Sequence, residues 1–364
     1  MVQTVHLIAA ARPNFMKVAP LYHALAAAPD FQPVLIHTGQ HYDANMSDTF
    51  FADLKLPAPD HHLGVGSGSH SEQTGNVMIA YEKVALSQRP DWLIVVGDVN
   101  STAACAMVGA KLQVPVVHLE AGLRSFDRRM PEELNRLVTD QLSDVLWTPS
   151  PDGDENLARE SIPAARITRV GNIMLDSYEL LRTAIEAENA PAAFGLTPRD
   201  YGLVTLHRPS NVDTAEALGA LVTELLDVAE RCRLLFPVHP RTAKKLDDFG
   251  LRGRLESAGI TLTAPISYRP FMSLVSNARM VITDSGGVQE ETTYLNIPCL
   301  TLRENTERPV TVTQGTNRLI APGDLLSAVE TVLSGDWPSG VRPDLWDGQT
   351  ASRCIADLRA RTAG

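Results

Sequence analysis

The sequence lacks an excess of positive charge, a paired-cysteine motif and an apolar run of membrane length. Its 32 lysines and arginines are outnumbered by 43 aspartates and glutamates, and the net charge of −11 argues against a nucleic-acid or anionic-membrane partner. No segment approaches the roughly 20 apolar residues of a membrane span. The cysteines are scattered, which favours a reducing cytosol over a disulfide framework or a zinc site: Cys105, Cys232, Cys299 and Cys354. We therefore expect a cytoplasmic protein with no nucleic-acid or membrane partner.

Several catalytic signatures are missing as well. There is no HExxH motif or other metal-ligand spacing, so no metal site is predicted. There is no GxSxG elbow of the serine hydrolases. The glycine-rich stretch TDSGGVQEE matches neither the GxxxxGK[ST] phosphate loop nor the GxGxxG dinucleotide fingerprint.

Short β-rich apolar runs alternate with longer helical patterns, and this alternation occurs twice. Between the runs, stretches such as TAEALGALVTELLDVAERC repeat apolar residues at three- and four-residue spacing. Strands that alternate with helices predict an α/β fold with parallel sheets covered on both faces. The strand candidates are residues 4–10, 33–39, 91–98, 114–120, 144–150 and 166–172, then 202–207, 233–239, 260–265, 280–286 and 298–302.

The two series divide near ENAPAAFGLTPRD, a stretch rich in proline, alanine and polar residues. We expect a first domain of residues 1–171 and a second of residues 172–349. The opening MVQTVHLIAAARPN predicts a first buried strand rather than a signal peptide. The pair His61–His62 is predicted to lie in a loop.

Charged side chains follow almost every predicted strand. Open parallel sheets bind ligands outside the carboxyl ends of their strands, so both halves are predicted to carry ligand-binding groups at this edge. The residues concerned are Arg12, Lys17, Gln40, His41, Asp98, His118, Glu120, Arg124, His207, Arg208, His239, Arg241, Asp284, Ser285, Glu290, Glu291, Arg303, Glu304, Glu307 and Arg308.

Asp284-Ser285-Gly286-Gly287 is the strongest candidate for a phosphate site. Two glycines after a strand let the backbone approach a ligand closely, and the following helix directs free N–H groups at that place. Arg308 and Arg12 are possible counter-charges. A plain strand-to-helix turn is the alternative, but the surrounding acids and arginines favour a pyrophosphate.

Three carboxylates from separate segments are candidates for acid–base chemistry: Asp98, Glu120 and Glu132. Taken singly, Asp98 also suits a turn or a helix cap, and Glu132 also suits the helix dipole after Pro131. Should the three converge, mutual repulsion would prepare one as base and another as acid. His207 is either an edge histidine or a donor to a leaving phosphate.

The order and spacing of several blocks resemble the non-hydrolysing UDP-N-acetylglucosamine 2-epimerases over nearly the whole chain. The blocks are ARPNFMKVAPL, TGQHYD, GDVNST, HLEAGLRSF, MPEELNR, LHRPSN, PVHP, TDSGGVQEE, TERPVT and DGQTASRCI. This resemblance implies two Rossmann-like domains facing across a cleft (GT-B-like), with the final helix, about residues 350–364, returning to the first. It also implies interconversion of UDP-GlcNAc and UDP-ManNAc by a homodimer without metal or other cofactor.

The resemblance further assigns roles to individual residues. Positions matching the family's UDP-binding set are Arg12, Lys17, Ser285, Gly286, Gly287 and Arg308, with Glu291 at the ribose and Phe271 near the uracil. Positions matching the acid–base set are Asp98, Glu120, Glu132 and His207. The blocks HRPSN and GSGSHS depart from the sequences that hold a second, activating UDP-GlcNAc in familiar bacterial members, which argues against such activation here.

Other functions stay open from the sequence. One is 2-epimerisation of a modified UDP sugar, such as a 2,3-diacetamido uronic acid, whose enzymes share the RSF…MPEE blocks. Hydrolysing epimerases are disfavoured because they tend to have a glycine-rich block where this chain has EAGLR. Of other classes, a GT-B glycosyltransferase would need an acceptor site, and a sugar-nucleotide binding protein would not need convergent carboxylates.

Overall fold

Parallel strands form two separate sheets in the computed structural model, which describes residues 2–10, 12–39 and 53–362. Gln40 to Asp43 of the TGQHYD block lie outside the described residues, and so does the side chain of Arg12, predicted to contact phosphate. For these positions the sequence predictions stay predictions.

The first sheet contains seven strands within the described residues, in the order β3-β2-β1-β4-β5-β6-β7, all parallel. Its central strands are buried along nearly their whole length, which explains their continuous apolar sequence. The strands are β1 Gln3–Ala9, β2 Phe31–His37, β3 His61–His62, β4 Trp92–Val96, β5 Val116–Leu119, β6 Val145–Thr148 and β7 Ile167–Arg169.

The second sheet contains six parallel strands within the described residues, in the order β10-β9-β8-β11-β12-β13. It has its own apolar core, in which Phe236, Leu246 and Ile282 are buried. The strands are β8 Tyr201–Thr205, β9 Arg233–Pro237, β10 Thr261–Thr263, β11 Met280–Thr283, β12 Cys299–Thr301 and β13 Asn317–Leu319.

Helices connect the strands of both sheets. Within the described residues they are α1 Arg12–Ala27, α2 His70–Ser87, α3 Asn100–Lys111, α4 Pro131–Leu142, α5 Pro151–Arg159, α6 Ile173–Ala187, α7 Ala190–Ala193, α8 Pro209–Val212, α9 Ala215–Ala229, α10 Pro240–Asp248, α11 Arg252–Ser257, α12 Tyr268–Asn277, α13 Gly286–Leu295, α14 Val310–Thr313, α15 Leu325–Ser334 and α16 Thr350–Thr362. A 3₁₀ turn covers Ala164–Arg166. None of the described helices is long and apolar enough to cross a lipid bilayer.

Both sheets have the strand order of a doubly wound nucleotide fold. In each, the first strand lies beside the fourth, so the direction of winding reverses between β1 and β4 and again between β8 and β11. Ligands of this architecture bind outside the carboxyl ends of the strands at such a reversal. The prediction of an α/β fold with two Rossmann-like sheets is confirmed.

Two edge strands were not predicted. The loop prediction for His61–His62 was wrong, because these residues pair with Ile36 and His37 as β3. The Asp60 carboxylate directs this pairing by accepting a 2.7 Å hydrogen bond from the Leu35 amide. In β13, Asn317 is buried and donates to Thr311 rather than filling an apolar position. Neither strand therefore has the apolar pattern that predicts strands from sequence.

The chain divides into two compact units. The first comprises Met1–Leu181 with Asp344–Gly364, and the second comprises Arg182–Pro343. Helix α16 belongs to the first unit, where Asp176 accepts hydrogen bonds of 3.1 and 2.8 Å from the first amides of this helix. Asp357 of the same helix accepts a 2.8 Å hydrogen bond from the indole of Trp147.

Acid should destabilise the first unit through two buried histidines. Burial lowers the pKa of His6 to about 4, helped by the nearby His61, although Asp60 acts in the opposite direction. Burial also lowers the pKa of His37 to about 4, with His62 adding to the effect. Unfolding returns both rings to an ordinary pKa of 6.5, so the unfolded chain binds more protons between pH 6.5 and 4.

The free energy of unfolding should therefore be highest above pH 6.5 and fall by about 3 kcal/mol for each histidine as the pH approaches 4. Urea unfolding at pH 7.5, 5.5 and 4.5, followed by tryptophan fluorescence, measures this slope. Replacing both histidines (His6→Phe with His37→Phe) should flatten it, whereas His70→Gln, at an exposed position, should not. An unchanged slope in the double variant would refute the assignment.

Candidate functional site

The carboxyl ends of β1, β4 and β5 bring three polar side chains together in the first unit: Asn14, Lys17 and Glu120. The Lys17 ammonium, from α1, forms an ion pair with Glu120, which follows β5. Asn14 donates a 3.1 Å hydrogen bond to the carbonyl of Val96 at the end of β4. Gly97 faces the same group, because a Cβ there would lie 3.5 Å from both Glu120 Oε2 and Lys17 Nζ. Lys17, Asn14 and Gly97 thus surround Glu120 at this edge of the sheet.

Glu120 is held in an uncommon backbone conformation. Its φ of 72° lies in the left-handed region, which costs a non-glycine residue free energy unless the surroundings impose it. The amides of Glu120 and Ala121 both donate to the Trp147 carbonyl, at 3.1 and 3.0 Å, and this double contact fixes the turn. At Gly122, a Cβ would lie 2.4 Å from the Gly153 carbonyl oxygen, so only glycine fits.

One carboxylate oxygen of Glu120 stays available for chemistry. The side chain is only 4 % exposed, and Oε2 is paired with Lys17. Its Oε1 is buried and has no hydrogen-bond partner among the described residues. Buried carboxylate oxygens are normally satisfied, so an unpaired one at the ligand edge of the sheet suits a group that accepts a proton or hydrogen bond from a ligand.

Asp98 is positioned by helix α4. The Arg136 guanidinium forms an ion pair with its carboxylate, and the Asn135 side chain donates a 2.9 Å hydrogen bond to its carbonyl. Arg136 is itself held by Glu133 at 2.6 Å. Although burial acts to raise the pKa of Glu133, hydrogen bonds from the Ser125 amide and Arg136 lower it below its usual value.

Glu132 lies in the first turn of the same helix but is exposed, and it makes no ion pair or hydrogen bond with the described residues. The sequence raised the possibility of mutual repulsion among Asp98, Glu120 and Glu132. In the structure Asp98 and Glu120 each contact a cation instead, Arg136 and Lys17 respectively.

In the second unit, Asp284 organises the turn after β8. This fully buried carboxylate accepts hydrogen bonds from the amides of His207 and Arg208, the latter at 2.8 Å. It also contacts His207 Nδ1 at 2.9 Å and accepts from the Asn211 amide group. Although burial acts to raise the pKa of Asp284, the His207 contact and these amides lower it.

His207 is consequently oriented for a ligand. Its ring is 39 % exposed, and pairing of Nδ1 with Asp284 leaves Nε2 as the nitrogen available to a ligand. The His239 ring lies 5.6 Å away, and burial together with His207 lowers the pKa of His239. This arrangement fits the predicted donor to a leaving phosphate.

The predicted phosphate turn begins helix α13. Ser285 occupies the position before the helix without capping it through its side chain, so the first amides of the helix are not satisfied by that hydroxyl. At Gly286 a Cβ would lie 2.7 Å from Glu307 Oε1 and 3.0 Å from Arg308 Nη1, so a side chain there would displace the ends of both. At Gly287 a Cβ would meet nothing within 4 Å. The backbone there is open to a ligand.

Arginine and glutamate side chains surround this helix start. Glu307 contacts Arg303 and Arg308, each at 2.8 Å, and Arg308 also contacts Glu290 at 2.7 Å. Arg208 lies 3.8 Å from Glu307. Burial acts to raise the pKa of Glu307, but Arg308 and Arg303 hold it well below its usual range. With three guanidinium groups against two glutamates, the cluster suits an anion rather than a metal ion.

Glu291 has a different character. It is buried one position beyond Glu290, and burial raises its pKa to about 8, against a hydrogen bond with Tyr268 that lowers it. Tyr268 begins α12, the helix that also carries the half-buried Phe271. The predicted ribose and uracil positions therefore belong to elements that meet at Glu291 and Tyr268.

Sequence reasoning missed the charged face of α4. Its residues Glu133, Arg136 and Asp140 are buried, although such residue types are normally exposed. They recur at three- and four-residue spacing, which places them on one side of the helix. A helix start after a proline with charges at that spacing was a usable signal, but acids there also suit the helix dipole.

Adding a methyl group at Gly286 should destabilise the second unit. Gly286→Ala would press a methyl group against Glu307 and Arg308, both fixed by ion pairs, and overpacking of this kind costs about 1–3 kcal/mol. Thermal unfolding followed by circular dichroism measures the loss. Gly287→Ala is the matched comparison for stability, since its Cβ meets open space and alanine favours a helix. Equal melting temperatures for the two variants would contradict the packing argument.

Comparison with known proteins identifies close relatives. The family model described as UDP-N-acetylglucosamine 2-epimerase matches residues 23–359. A Methanocaldococcus jannaschii protein of that name is 43% identical over 90% of this chain and 92% of its own length. A Pseudomonas aeruginosa UDP-2,3-diacetamido-2,3-dideoxy-D-glucuronate 2-epimerase is 39% identical over 97% of this chain and 98% of its own length.

The same similarity extends to three dimensions. The crystal structure of the Methanocaldococcus jannaschii UDP-GlcNAc 2-epimerase in complex with UDP-GlcNAc and UDP is similar to this chain with a TM-score of 0.89. That chain is 41% identical, and the match covers 98% of this chain and 99% of the other. Family model, relatives and structure agree over nearly the full length. The chain belongs to the UDP-N-acetylglucosamine 2-epimerase family.

Proposed function

We propose that this protein is a non-hydrolysing UDP-N-acetylglucosamine 2-epimerase, which interconverts UDP-GlcNAc and UDP-ManNAc. Family membership supports the reaction class. The observation that carries the proposal is the buried Glu120, with one oxygen paired to Lys17 and the other unpaired at the ligand edge of the sheet. A carboxylate held in this way suits the role of a general base that removes a weakly acidic C–H proton.

The second unit supplies binding of the UDP group. The Ser285 hydroxyl and the amides of Gly286 and Gly287 at the start of α13 bind the pyrophosphate, and Arg308 supplies positive charge. Glu291 accepts hydrogen bonds from the ribose hydroxyl groups, and Phe271 lies near the uracil. Arg12 and Lys17 also match the family's UDP-binding positions, and Lys17 additionally compensates the charge of Glu120.

The chemistry is an elimination followed by a re-addition. The C1–O bond breaks, and UDP leaves with the bonding electrons while a carboxylate takes the proton from C2. The product is a 2-acetamidoglucal with a C1–C2 double bond. A second acid then returns a proton to the opposite face of C2, and UDP adds back to C1.

These steps are assigned to the residues that match the family's acid–base positions. Asp98, Glu120 and Glu132 form the set that moves the C2 proton, and His207 Nε2 donates to the departing phosphate. Preorganised donors at developing negative charge are usually the largest single contribution to such a reaction. The His207–Asp284 pair and the start of α13 provide them.

A modified UDP sugar is the second candidate substrate. The Pseudomonas aeruginosa diacetamido-glucuronate epimerase resembles this chain over almost its whole length at 39% identity. Its chemistry at C2 is the same, so the residues above would keep their roles. The two candidates differ only in the groups at C3 and C6 of the sugar.

Incubation with UDP-GlcNAc in heavy water, followed by NMR, tests the proposal. Deuterium at C2 together with formation of UDP-ManNAc is the expected result. Release of free ManNAc and UDP would instead indicate a hydrolysing enzyme. Turnover of the diacetamido uronate without turnover of UDP-GlcNAc would select the second candidate.

Substitutions of the carboxylates should separate proton transfer from binding. Asp98→Asn, Glu120→Gln and Glu132→Gln should each lower C2 exchange at least about 10²-fold, the usual contribution of a positioned acid or base. The affinity for UDP, measured by calorimetry, should change little. Glu155→Gln, at an exposed ion pair of the first unit, is the control and should exchange normally. A substitution that leaves exchange intact removes that residue from the acid–base set.

We further propose that the protein acts in the cytoplasm as a homodimer. All four cysteines are free and buried, which suits a reducing compartment. Exposed apolar side chains on two helices of the first unit, Ile79, Leu86, Leu134 and Val138, offer surface that a second copy could cover. Light scattering coupled to size exclusion should give twice the 39.5 kDa chain mass, and the monomer mass would contradict this proposal.

A further inference from the structure

A buried histidine connects the two loops that carry Asp98 and Glu120. His118 lies in β5 and is completely buried. Its Nε2 contacts the carbonyl oxygen of Gly97 at 2.8 Å, and its Nδ1 contacts Asp140 at 2.6 Å. A carbonyl oxygen can only accept a hydrogen bond, so Nε2 donates to Gly97.

Asp140 acts as an ionised acceptor in this contact. Its second oxygen accepts from the Gly122 amide at 3.1 Å and contacts the Arg124 guanidinium at 2.7 Å. Burial acts to raise the pKa of Asp140, but His118 and Arg124 lower it below its usual value. Both ring nitrogens of His118 therefore face oxygen atoms, Nδ1 that of Asp140 and Nε2 that of Gly97.

The two backbone groups held in this way flank the proposed catalytic carboxylates. Gly97 immediately precedes Asp98, and its amide also donates 3.0 Å to the Leu119 carbonyl, so both of its polar groups are bound to β5. Its φ of 71° lies in the left-handed region. Gly122 lies two positions after Glu120. One hydrogen-bonded chain thus fixes both loops.

Helix α4 holds the same two loops through a second contact. Arg136 and Asp140 are one turn apart, and Arg136 binds the Asp98 carboxylate directly. Asp98 is therefore held by its side chain through Arg136 and by the preceding peptide group through His118. Glu160 completes the compensation of charge with a bidentate contact to Arg124 at 2.8 and 2.7 Å.

We propose that His118, together with Asp140, is a positioning residue that sets the relative placement of Asp98 and Glu120 without touching the substrate. This inference rests on the proposed function for its consequence in catalysis. Proton transfer demands close placement of acid and base, and a displacement of about 1 Å can cost about 10²-fold in rate. Most of the proposed UDP-binding residues belong to the second unit, so the affinity for UDP should change little.

Three substitutions of His118 separate its two contacts. His118→Gln places an amide donor where Nε2 stood and retains the contact with the Gly97 carbonyl. His118→Asn places its donor nearer the position of Nδ1 and retains the contact with Asp140 only. His118→Phe removes both. The matched control is His6→Phe, a substitution of another fully buried histidine in the same sheet, bonded to Tyr81 and not part of the chain described above.

The measurements are kcat and KM for UDP-GlcNAc, the affinity for UDP, the melting temperature, and amide hydrogen exchange at Gly97 and Gly122. His118→Phe should lower kcat about 10²-fold, with KM and UDP affinity within about threefold of the unmodified protein. His118→Gln should recover part of kcat, and His118→Asn should not. Amide exchange at Gly97 and Gly122 should rise in His118→Phe and stay unchanged in His6→Phe.

Two results would overturn the proposal. One is a kcat of His118→Phe within threefold of the unmodified value. The other is a parallel loss of kcat and stability in His118→Phe and His6→Phe, which would indicate a purely structural role. If the unmodified protein does not turn over UDP-GlcNAc, the proposed function fails separately. Amide hydrogen exchange is then the deciding measurement for the positioning role of His118. Unchanged exchange at Gly97 and Gly122 in His118→Phe would overturn that role.

Discussion

Compensation of buried charge is the constraint on which both candidate sites depend. A carboxylate removed from water costs several kcal/mol unless cations or hydrogen-bond donors replace its solvation. The structure provides such partners for four buried acids: Lys17 for Glu120, His118 and Arg124 for Asp140, His207 and two backbone amides for Asp284, and Arg303 and Arg308 for Glu307. For Glu291, burial raises the pKa instead. Most of these partners come from distant parts of the sequence, so the sites exist only when each unit is folded.

The fold was predictable because its strands obey a simple rule. Parallel strands covered by helices on both faces are buried throughout, which gives continuous apolar runs such as LIVV in β4. The location of the sites followed from the same rule, since the carboxyl ends of parallel strands share one edge. The pairing of Lys17 with Glu120 and of His207 with Asp284 is a direct result. Strands β3 and β13 were not predicted because polar contacts, rather than an apolar sequence pattern, hold them in the sheets.

Backbone conformation and the exposure of single acids could not be read from residue types. The left-handed turn at Glu120 is imposed by two amides that donate to Trp147, a contact between segments far apart in the sequence. Glu132 and Glu133 are adjacent and identical in type, yet the first is exposed and the second is buried against Arg136. Only the direction in which α4 faces the sheet distinguishes them, and that direction depends on tertiary packing.

Helix α16 has a consequence for how the chain is made. Asp357 of this helix accepts a hydrogen bond from the indole of Trp147, and Asp176 caps the first amides of the helix. The first unit is therefore complete only when this helix has packed onto it. During translation the ribosome must deliver all of residues 182–343 before that helix emerges. The second unit can therefore reach its final structure before the first, which still lacks its last helix. This reverses the usual order, in which the N-terminal domain folds first during synthesis.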